Sequence, residues 1–241
     1  MAGISYNTGA TGGAANVTSI NYTAPAGVLV NDVMILGIVV FTEDSTQPAF
    51  SVTSTGSEVW TIVSPVELAA GAGIYTYGFV YSAVATASSA HATVTVSETG
   101  SPGSTTWIGA AMASYTGART TSSIDVIGGT SIPGQSAFTI TCPTKTTNAA
   151  NDWGIYIMAG GNNGSGVSVP SGTTQRQLAS TGGGMIAVIA DSNGIVGPAS
   201  TTIGGGVFTN TADVASNCWL TAFTIGLAPA PVNPGGFMPL F

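Results

Sequence analysis

The chain has 241 residues, of which 44% are hydrophobic and only 5% are charged, and its formal net charge at pH 7 is −7. Its three cations are Arg119, Lys145 and Arg176. Because nucleic-acid binding depends on Lys and Arg contacts to phosphates, this composition excludes a nucleic-acid partner. Apolar runs reach nine residues, as over residues 33–41, whereas a transmembrane helix needs about 20, so we expect no membrane partner.

Along the chain, short apolar or Thr-rich segments alternate with clusters of Gly, Ser, Pro and Asn. Val94 and Val96 would lie on one face of a strand whose other face carries Thr93 and Thr95, which is the period-2 pattern of a half-buried strand. No segment combines a 3.6-residue apolar period with good helix formers. Many short strands separated by turn residues predict an all-β antiparallel sandwich that is jelly-roll-like.

The segment "WIGAAMASY", which begins at Trp107, has no polar face. Trp107, Ala111 and Tyr115 would lie on one face of the strand, and Ile108 and Met112 on the other. Strands that are apolar on both faces are covered on both sides. We therefore predict a central strand, covered by the opposite sheet on one face and by a loop or a neighbouring subunit on the other.

Three segments of the first half recur in the same order in the second half. The segment "NDVMILGIVV", from Asn31, matches "NDWGIYIMAG", from Asn151, at an offset of 120 residues. The segment "GIYTYGFVYSAV" matches "GMIAVIADSNG" at an offset of 111, and Trp107 aligns with Trp219 at an offset of 112. Since the order is kept and the offsets change only across loops, the sequence predicts two structural repeats.

We divide the chain into an N-terminal arm (residues 1–21), a first β half (22–136), a second β half (137–228) and a C-terminal docking tail (229–241). The connection around "GGTSIPGQS" is short and carries no charged or Pro-rich linker. It therefore favours one compact sandwich built from both pseudo-repeated halves. Two tandem sandwiches are the alternative that the repeat leaves open.

The chain offers little for catalysis. His91 is its only histidine, and no serine stands in a G-x-S-x-G nucleophile elbow. Any arrangement of Ser, His and Asp would have to use His91, which stands at the start of a predicted strand and is interpreted as a surface residue. We therefore predict no enzyme, no catalytic residues and no cofactor.

Carboxylates provide the candidates for a metal site. Glu43 and Asp44 are adjacent in the loop after the first apolar strand, and Asp191 begins "DSNG", which resembles part of a calcium loop. A calcium loop also needs a bidentate acid at a suitable spacing, and none follows. We therefore predict no metal site, and these three residues are the candidates that a metal would use.

Two Asn-Asp pairs, at Asn31 and at Asn151, each precede a segment rich in apolar residues. They would form a duplicated ligand site, or they would set the turn into two equivalent strands. Asn and Asp side chains bind nearby backbone groups and favour turns. We therefore interpret both pairs as turns.

Sheet edges and the C-terminal residues point to assembly. Monomeric β proteins protect exposed edges with Lys, other charges or Pro, whereas Lys145 is the only lysine of this chain. We expect edges that are short, blocked by arms or paired with other subunits, and we predict a homo-oligomer. Large apolar residues on a free tail indicate docking onto a partner. The predicted docking residues are Phe237, Met238, Leu240 and Phe241.

Several motifs follow one another in a distinctive order: "GVLVNDVMILGIVV", "VWTIV", "YGFVYSAVATASSAHATVTVS", "WIGAAMASYTGA" and "SSIDVIGG". This order resembles a pattern of bacteriophage virion proteins, namely minor tail, head-fibre and capsid decoration proteins. In those proteins a "GDLLL" strand is followed by "GWT", a "YYKVA" strand, an "AYRG" strand and a "PID" or "PVD" turn. The resemblance covers most of residues 25–228, because the second half repeats a weaker version.

This chain departs from the pattern mainly by the loss of cations. Ser82 follows Tyr81 where the family has Lys, and Thr116-Gly117 stands where it has Arg-Gly. The resemblance implies a β-sandwich structural protein on the exterior of a phage particle. It would assemble with copies of itself and with a capsid or tail protein, and no catalytic residues carry over.

Two other functions stay open. A tail-tip or fibre module that binds host glycans would use exposed aromatic faces, which offer large apolar contact surfaces. The candidate contacts are Trp60, Tyr75 and Tyr77, which also fit a sandwich core. A calcium-dependent surface-layer protein would use the carboxylates named above.

Overall fold

The structure is a computed structural model that describes residues 3–23, 25–56, 58–71, 73–86, 93–99, 106–132, 139–161, 166–181, 185–211 and 219–231. These ranges contain nineteen β-strands, and they contain no helix long and apolar enough to cross a membrane. The paired strands are antiparallel throughout the five sheets. The predicted all-β antiparallel fold is confirmed.

The nineteen strands follow one another in two series. The first series is β1 (Ser5–Ala15), β2 (Ser19–Tyr22), β3 (Val33–Thr42), β4 (Phe50–Ser54), β5 (Thr61–Ile62), β6 (Glu67–Gly71), β7 (Ile74–Val84), β8 (Val94–Glu98) and β9 (Thr106–Thr116). The second series is β10 (Ile124–Ile132), β11 (Thr139–Thr141), β12 (Lys145–Thr146), β13 (Trp153–Gly161), β14 (Val167–Ser168), β15 (Thr174–Thr181), β16 (Met185–Ile195), β17 (Thr202–Ile203), β18 (Val207–Asn210) and β19 (Trp219–Leu227).

Each series forms one large and one small sheet. The first large sheet has the order β1-β9-β3-β7-β5, with β6 also paired to β7, and the first small sheet has the order β2-β8-β4. The second large sheet has the order β10-β19-β13-β16-β15, the second small sheet is β11-β18-β14, and β12 pairs with β17. In each large sheet the first strand of the series lies beside the last, which is the wrapped strand order of a jelly roll.

The large and small sheets of the two halves have equivalent strand orders, and the sequence repeat predicts which residues of the β3-β9 and β13-β19 pairs correspond. Phe41 of β3 pairs with Trp107 of β9, and Gly161 of β13 pairs with Trp219 of β19. These pairs differ by the predicted offsets of 120 and 112 residues. β7 and β16 hold the same place beside β3 and β13. The predicted third offset of 111 holds for Val84 and Ile195, but a register shift between Trp153 and Ile155 changes it to 109 along the rest of the strands, where Thr76 corresponds to Met185.

The two large and two small sheets stack as four layers with the large sheets in the middle. One apolar core lies between the first small and large sheets, a second lies between the second small and large sheets, and a third joins the two large sheets. β3 contributes Leu36 and Ile38 to the first core and Ile35 and Val39 to the third. Strands such as β3 are covered on both faces, which is why their sequence is continuously apolar.

The prediction that "WIGAAMASY" forms a central strand covered on both sides is confirmed. This segment lies in β9, between β1 and β3. Ile108 and Met112 pack toward the first small sheet, and Ala111 and Tyr115 pack toward the second half. The cover on the second face is therefore the other half of the same chain, so the predicted loop or neighbouring subunit was wrong.

The large sheets face each other with approximate two-fold symmetry. β3 contacts β13, its own counterpart. β1 contacts β15, and β10, the counterpart of β1, contacts β6 in the same way. The contact of β16 with β9 is likewise matched by the contact of β7 with β19. The molecule resembles a two-fold dimer whose subunits are joined in one chain.

The structure corrects the predicted N-terminal arm. Residues 5–15 form an edge strand that pairs with β9 along its whole length, and residues 19–22 pair with β8. The strand gives no apolar pattern because small residues are needed there: a Cβ on Gly12 would stand 2.7 Å from the Tyr22 side chain. Residues 5–22 therefore complete both sheets of the first half.

The structure also moves the boundary between the halves. Residues 124–132, assigned to the first half by sequence, form β10 and pair with β19 in the second large sheet. The connection between the halves is therefore residues 117–123. The "GGTSIPGQS" segment begins inside the second half, and its last residues lie outside the described ranges.

Candidate functional site

Both Asn-Asp pairs form the same turn, as predicted. Asn31 and Asn151 have positive φ angles of 69° and 63°, a left-handed conformation that Asn tolerates better than most residues. The backbone N–H of Asn31 donates to Ala85 O at 2.9 Å, and that of Asn151 donates to Gly197 O at 2.8 Å. The turns tie equivalent strand ends together and lead into β3 and β13.

Between these turns, the segments that leave β9 and β19 pair with each other. The N–H of Arg119 donates to Ala228 O at 2.8 Å, and the N–H of Ala230 donates to Gly117 O at 2.9 Å. Ala118 and Pro229 form an isolated antiparallel bridge. The two equivalent segments therefore meet near the approximate two-fold axis, at the end of the molecule that carries both turns.

We call this end the turn end and define it by residues 29–32, 117–119, 149–151, 195 and 229–231. It carries two hollows, of about 450 and 560 Å³. The first hollow is lined by the turn at residues 29–32, and the second by the turn at residues 149–151 together with Ile195. Since residues 29–31 and 149–151 are equivalent in the repeat, the two hollows are counterparts.

The turn end exposes three large apolar side chains and holds one cation. Leu29, Val30 and Ile195 are 50%, 49% and 59% exposed, respectively. Arg119 lines both hollows, and its guanidinium has no hydrogen bond or ion pair within the described ranges. Arg176, by contrast, is bound to a carboxylate within the second half. The turn end thus combines exposed apolar side chains with a guanidinium that has no hydrogen bond within the described residues and interacts with Asp152 only through its charge.

The three candidate metal ligands lie in different halves of the fold. Asp191 lies on β16, where it is fully buried and accepts hydrogen bonds from Arg176 Nε at 2.8 Å and from Asn193 N at 2.9 Å. Glu43 and Asp44 follow β3, and Asp44 Oδ1 accepts from Thr46 N. Within the described ranges, no group of three His, Cys, Asp or Glu residues is placed to hold a metal ion.

Of the three candidate glycan contacts, Tyr77 is placed wrongly for that role. It is 1% exposed, its ring stacks on Phe79, and its hydroxyl donates to Ser45 O at 3.0 Å. Trp60 and Tyr75 are half-buried against the first core. Tyr77 alternates along β7 into the sandwich interior, so its ring cannot lie against a sugar.

The predicted docking residues of the C-terminal tail, Phe237, Met238, Leu240 and Phe241, lie outside the described residues, as does His91. Apart from the two Asn-Asp pairs, the residues of the turn end were not singled out from the sequence. A signal for them existed, because residues 29–31 and 149–151 are equivalent in the repeat. Their apolar exposure, however, depends on how the halves stack.

A scan against protein-family models finds no match for the chain, and a search of the curated proteins finds none either.

Proposed function

We propose that this protein is a structural subunit on the exterior of a phage particle, as a capsid decoration, head-fibre or minor tail protein. It acts by assembly with copies of itself and with a capsid or tail protein, and it performs no catalysis. The observation that carries the proposal is the turn end, where apolar side chains are exposed around Arg119.

The exposed apolar side chains support a docking role. Large apolar patches on soluble proteins mark interaction surfaces, and Arg is enriched at such interfaces, where its guanidinium binds carboxylates and backbone carbonyls. A partner that covers the turn end would bury Leu29, Val30 and Ile195 and would provide acceptors for Arg119. The rest of the surface, poor in charge and rich in Ser and Thr, stays in contact with solvent.

Short edges limit strand addition at the two small sheets, whereas the large sheets have longer edge strands, namely β1, β10 and β15 with 11, 9 and 8 residues. Edge strands attract other strands when they are long and unprotected. The edge strands of the two small sheets, β2, β4, β11 and β14, have between two and five residues. Edges of this length offer few backbone groups to another chain.

The test removes the apolar surface without adding charge. We compare the double variant Val30→Gln and Ile195→Gln at the turn end with Val59→Gln and Ile62→Gln, which are also exposed but lie elsewhere in the first half. Each variant complements a phage that lacks the gene, and its amount in purified particles is measured by quantitative mass spectrometry.

We expect both variants to keep the wild-type circular dichroism spectrum and thermal midpoint. Incorporation of the turn-end variant should fall by about tenfold, which corresponds to the loss of roughly 50 Å² of buried apolar area. The variant at residues 59 and 62 should enter particles like the wild type. Equal incorporation of the two variants would refute docking through the turn end.

A further inference from the structure

The two halves share a bulge that aims one side chain at the Asp of each turn. On β1 the register shifts between Tyr6 and Thr8, so that Asn7 is the bulged residue. On β10, the counterpart of β1, the shift lies between Ile124 and Val126, so that Asp125 is the bulged residue. Bulges redirect side chains, and here they bring Asn7 and Asp125 to equivalent places.

In the first half the contact is an ordinary hydrogen bond. Asn7 Nδ2 donates to Asp32 Oδ2 at 2.7 Å, and Leu29 N donates to the same oxygen at 3.0 Å. Asp32 is 1% exposed. Its carboxylate is therefore buried with two donors.

In the second half two carboxyl groups meet at this place. Asp152 is completely buried, and neither of its carboxyl oxygens receives a hydrogen bond from an N–H or O–H group of the described residues. Its neighbour is the carboxyl group of Asp125. Gly226 lies directly against the other side of the Asp152 carboxyl group, where a Cβ would stand 3.0 Å from Oδ2. Asp125 is only partly buried, but the carboxylate of Asp152 is shielded from solvent, so two ionised groups here would repel each other unless a proton lay between them.

We propose that Asp125 and Asp152 share one proton at neutral pH. This proton forms the hydrogen bond that joins β10 to the second turn, as the Asn7 amide forms the hydrogen bond that joins β1 to the first. The pair makes the second half sensitive to pH at a place where the first half is not.

The surrounding groups assign the proton to Asp152. Burial, and then the neighbouring Asp125, raise the pKa of Asp152 to about 7, and Arg119 opposes part of that rise. Burial by itself would raise the pKa of Asp125, but hydrogen bonds from Asn148 N, Asp152 and Ala149 N lower it overall. Asp125 is thus the ionised acceptor and Asp152 the protonated donor.

Arg119, in the connection between the halves, is the charged group that faces the pair from another segment. The other elements packed against Asp152 contribute Gly226 of β19 and, beside it, Val126 of β10 and Ile203 of β17, none of which titrates. The pH response at this place therefore belongs to the two carboxyl groups.

The sign of the pH dependence follows from the raised pKa. An unfolded aspartate loses its proton at about pH 3.9, whereas native Asp152 keeps its proton up to about pH 7. Between these values the native state binds more protons than the unfolded state, so the free energy of unfolding falls as the pH rises. The lowered pKa of Asp125 acts in the opposite direction, and only in acid.

Loss of the shared proton has a local consequence. Asp125 Oδ2 accepts the N–H groups of Asn148 and Ala149 at 2.5 and 3.2 Å. These residues lead into the turn at residues 149–151 that lines the second hollow. Repulsion between the two carboxylates above pH 7 would loosen this segment and leave the equivalent turn of the first half unchanged.

The experiment uses the full chain and two reciprocal substitutions. Asp125→Asn places in the second half the amide that the first half has, and its Oδ1 can still accept a backbone N–H. Asn7→Asp places in the first half the acid pair that the second half has. Thermal midpoints are measured from pH 5 to pH 8.5. In parallel, the carboxyl carbon of Asp152 is titrated by NMR in the wild-type chain labelled with ¹³C-aspartate, with Asp152→Asn to assign the signal.

The proposal predicts that the Asp152 signal titrates near pH 7. The midpoint of Asp125→Asn, relative to the wild type, should rise with increasing pH, and that of Asn7→Asp should fall. An Asp152 signal that titrates near pH 4 would overturn the proposal even if a variant fails to fold. Parallel pH profiles for Asp125→Asn and the wild type would also overturn it.

Discussion

Phe41 packs against Gly161, its own counterpart 120 residues further along the chain. A Cβ on Gly161 would stand only 2.3 Å from a ring carbon of Phe41. Four residues earlier on β3 the small residue belongs to the first half instead. A Cβ on Gly37 would stand 2.8 Å from Ile157, the counterpart of Gly37. Large and small residues thus alternate between the halves beside the approximate two-fold axis.

This alternation makes the halves non-interchangeable. Two copies of the first half would set Phe41 against Phe41 and Gly37 against Gly37, and the large sheets could not approach as they do. The interface between the large sheets is therefore specific to one first half and one second half. Phe41 also meets both equivalent tryptophans edge-on, with ring centroids 5.2 Å from Trp107 and 5.8 Å from Trp219.

The first prediction concerns this interface. Gly161→Ala should destabilise the protein by about 1–3 kcal/mol, because the added methyl group overlaps the Phe41 ring in a packed core. Phe41→Leu in the same chain should recover part of the loss, since the two positions are in contact and their effects are not additive. The measurement is urea unfolding. Gly194→Ala is the control, because an added Cβ there meets no atom within 4 Å; equal effects of the two alanine variants would contradict the packing.

The second prediction concerns the turns. Asn31→Ala and Asn151→Ala should each reduce the free energy of unfolding by about 1 kcal/mol, because Ala tolerates the left-handed conformation poorly. Asn31→Gly and Asn151→Gly should keep near wild-type stability, since Gly adopts positive φ without steric cost. Thermal unfolding of the four variants tests this. Glycine variants that lose as much as the alanine variants would show that the Asn side chain, and not the backbone conformation, holds the turns.

The third prediction concerns the ion pair of Asp191. Asp191→Ala should cost about 3–5 kcal/mol, because it leaves the largely buried Arg176 without its carboxylate. Arg176 also lies 4.6 Å from the centre of the Tyr6 ring, so its position joins β15 to β1 of the other half. Adding Arg176→Met to Asp191→Ala should recover much of the loss, as removal of both charges often does. Glu43→Ala, at an exposed carboxylate, should change stability by no more than about 0.5 kcal/mol.

The fourth prediction concerns the C-terminal tail. Deletion of residues 235–241 should leave a folded protein with the wild-type thermal midpoint, because the sequence predicts that they belong to a docking tail outside both repeats. The deleted chain should no longer join the particle in a complementation assay. Unchanged incorporation would refute the docking tail, and a large drop in the thermal midpoint would show instead that the tail packs onto its own chain.

The repeat could be predicted from the sequence because the matching residues lie in buried strands and at the turns that lead into them. Trp107 and Trp219, and the two Asn-Asp pairs, hold equivalent places in the structure, and each is fixed by packing or by a backbone conformation. Apolar runs such as β3 also indicated strands covered on both faces. These features depend on local pattern, which a single sequence records.

Other features depend on partners that are distant in sequence. β1 could not be recognised because its Gly, Ala and Thr residues carry no alternation. It is a strand because it pairs with β9 and lies under Tyr22 and Gln177, whose side chains would meet any Cβ on Gly12 or Gly9. The partner of Asp152 was hidden for the same reason, since Asp125 reaches it through a bulge on another strand.

The central claim, that the protein is an assembled subunit on the exterior of a phage particle, is tested most directly by its location and copy number in purified particles. The measurement is quantitative mass spectrometry combined with antibody labelling of intact particles under the electron microscope. We expect a fixed number of copies in each particle, several or more, with labelled sites on the outer surface. Absence of the protein from purified particles, or labelling only after the particles are broken, would contradict it.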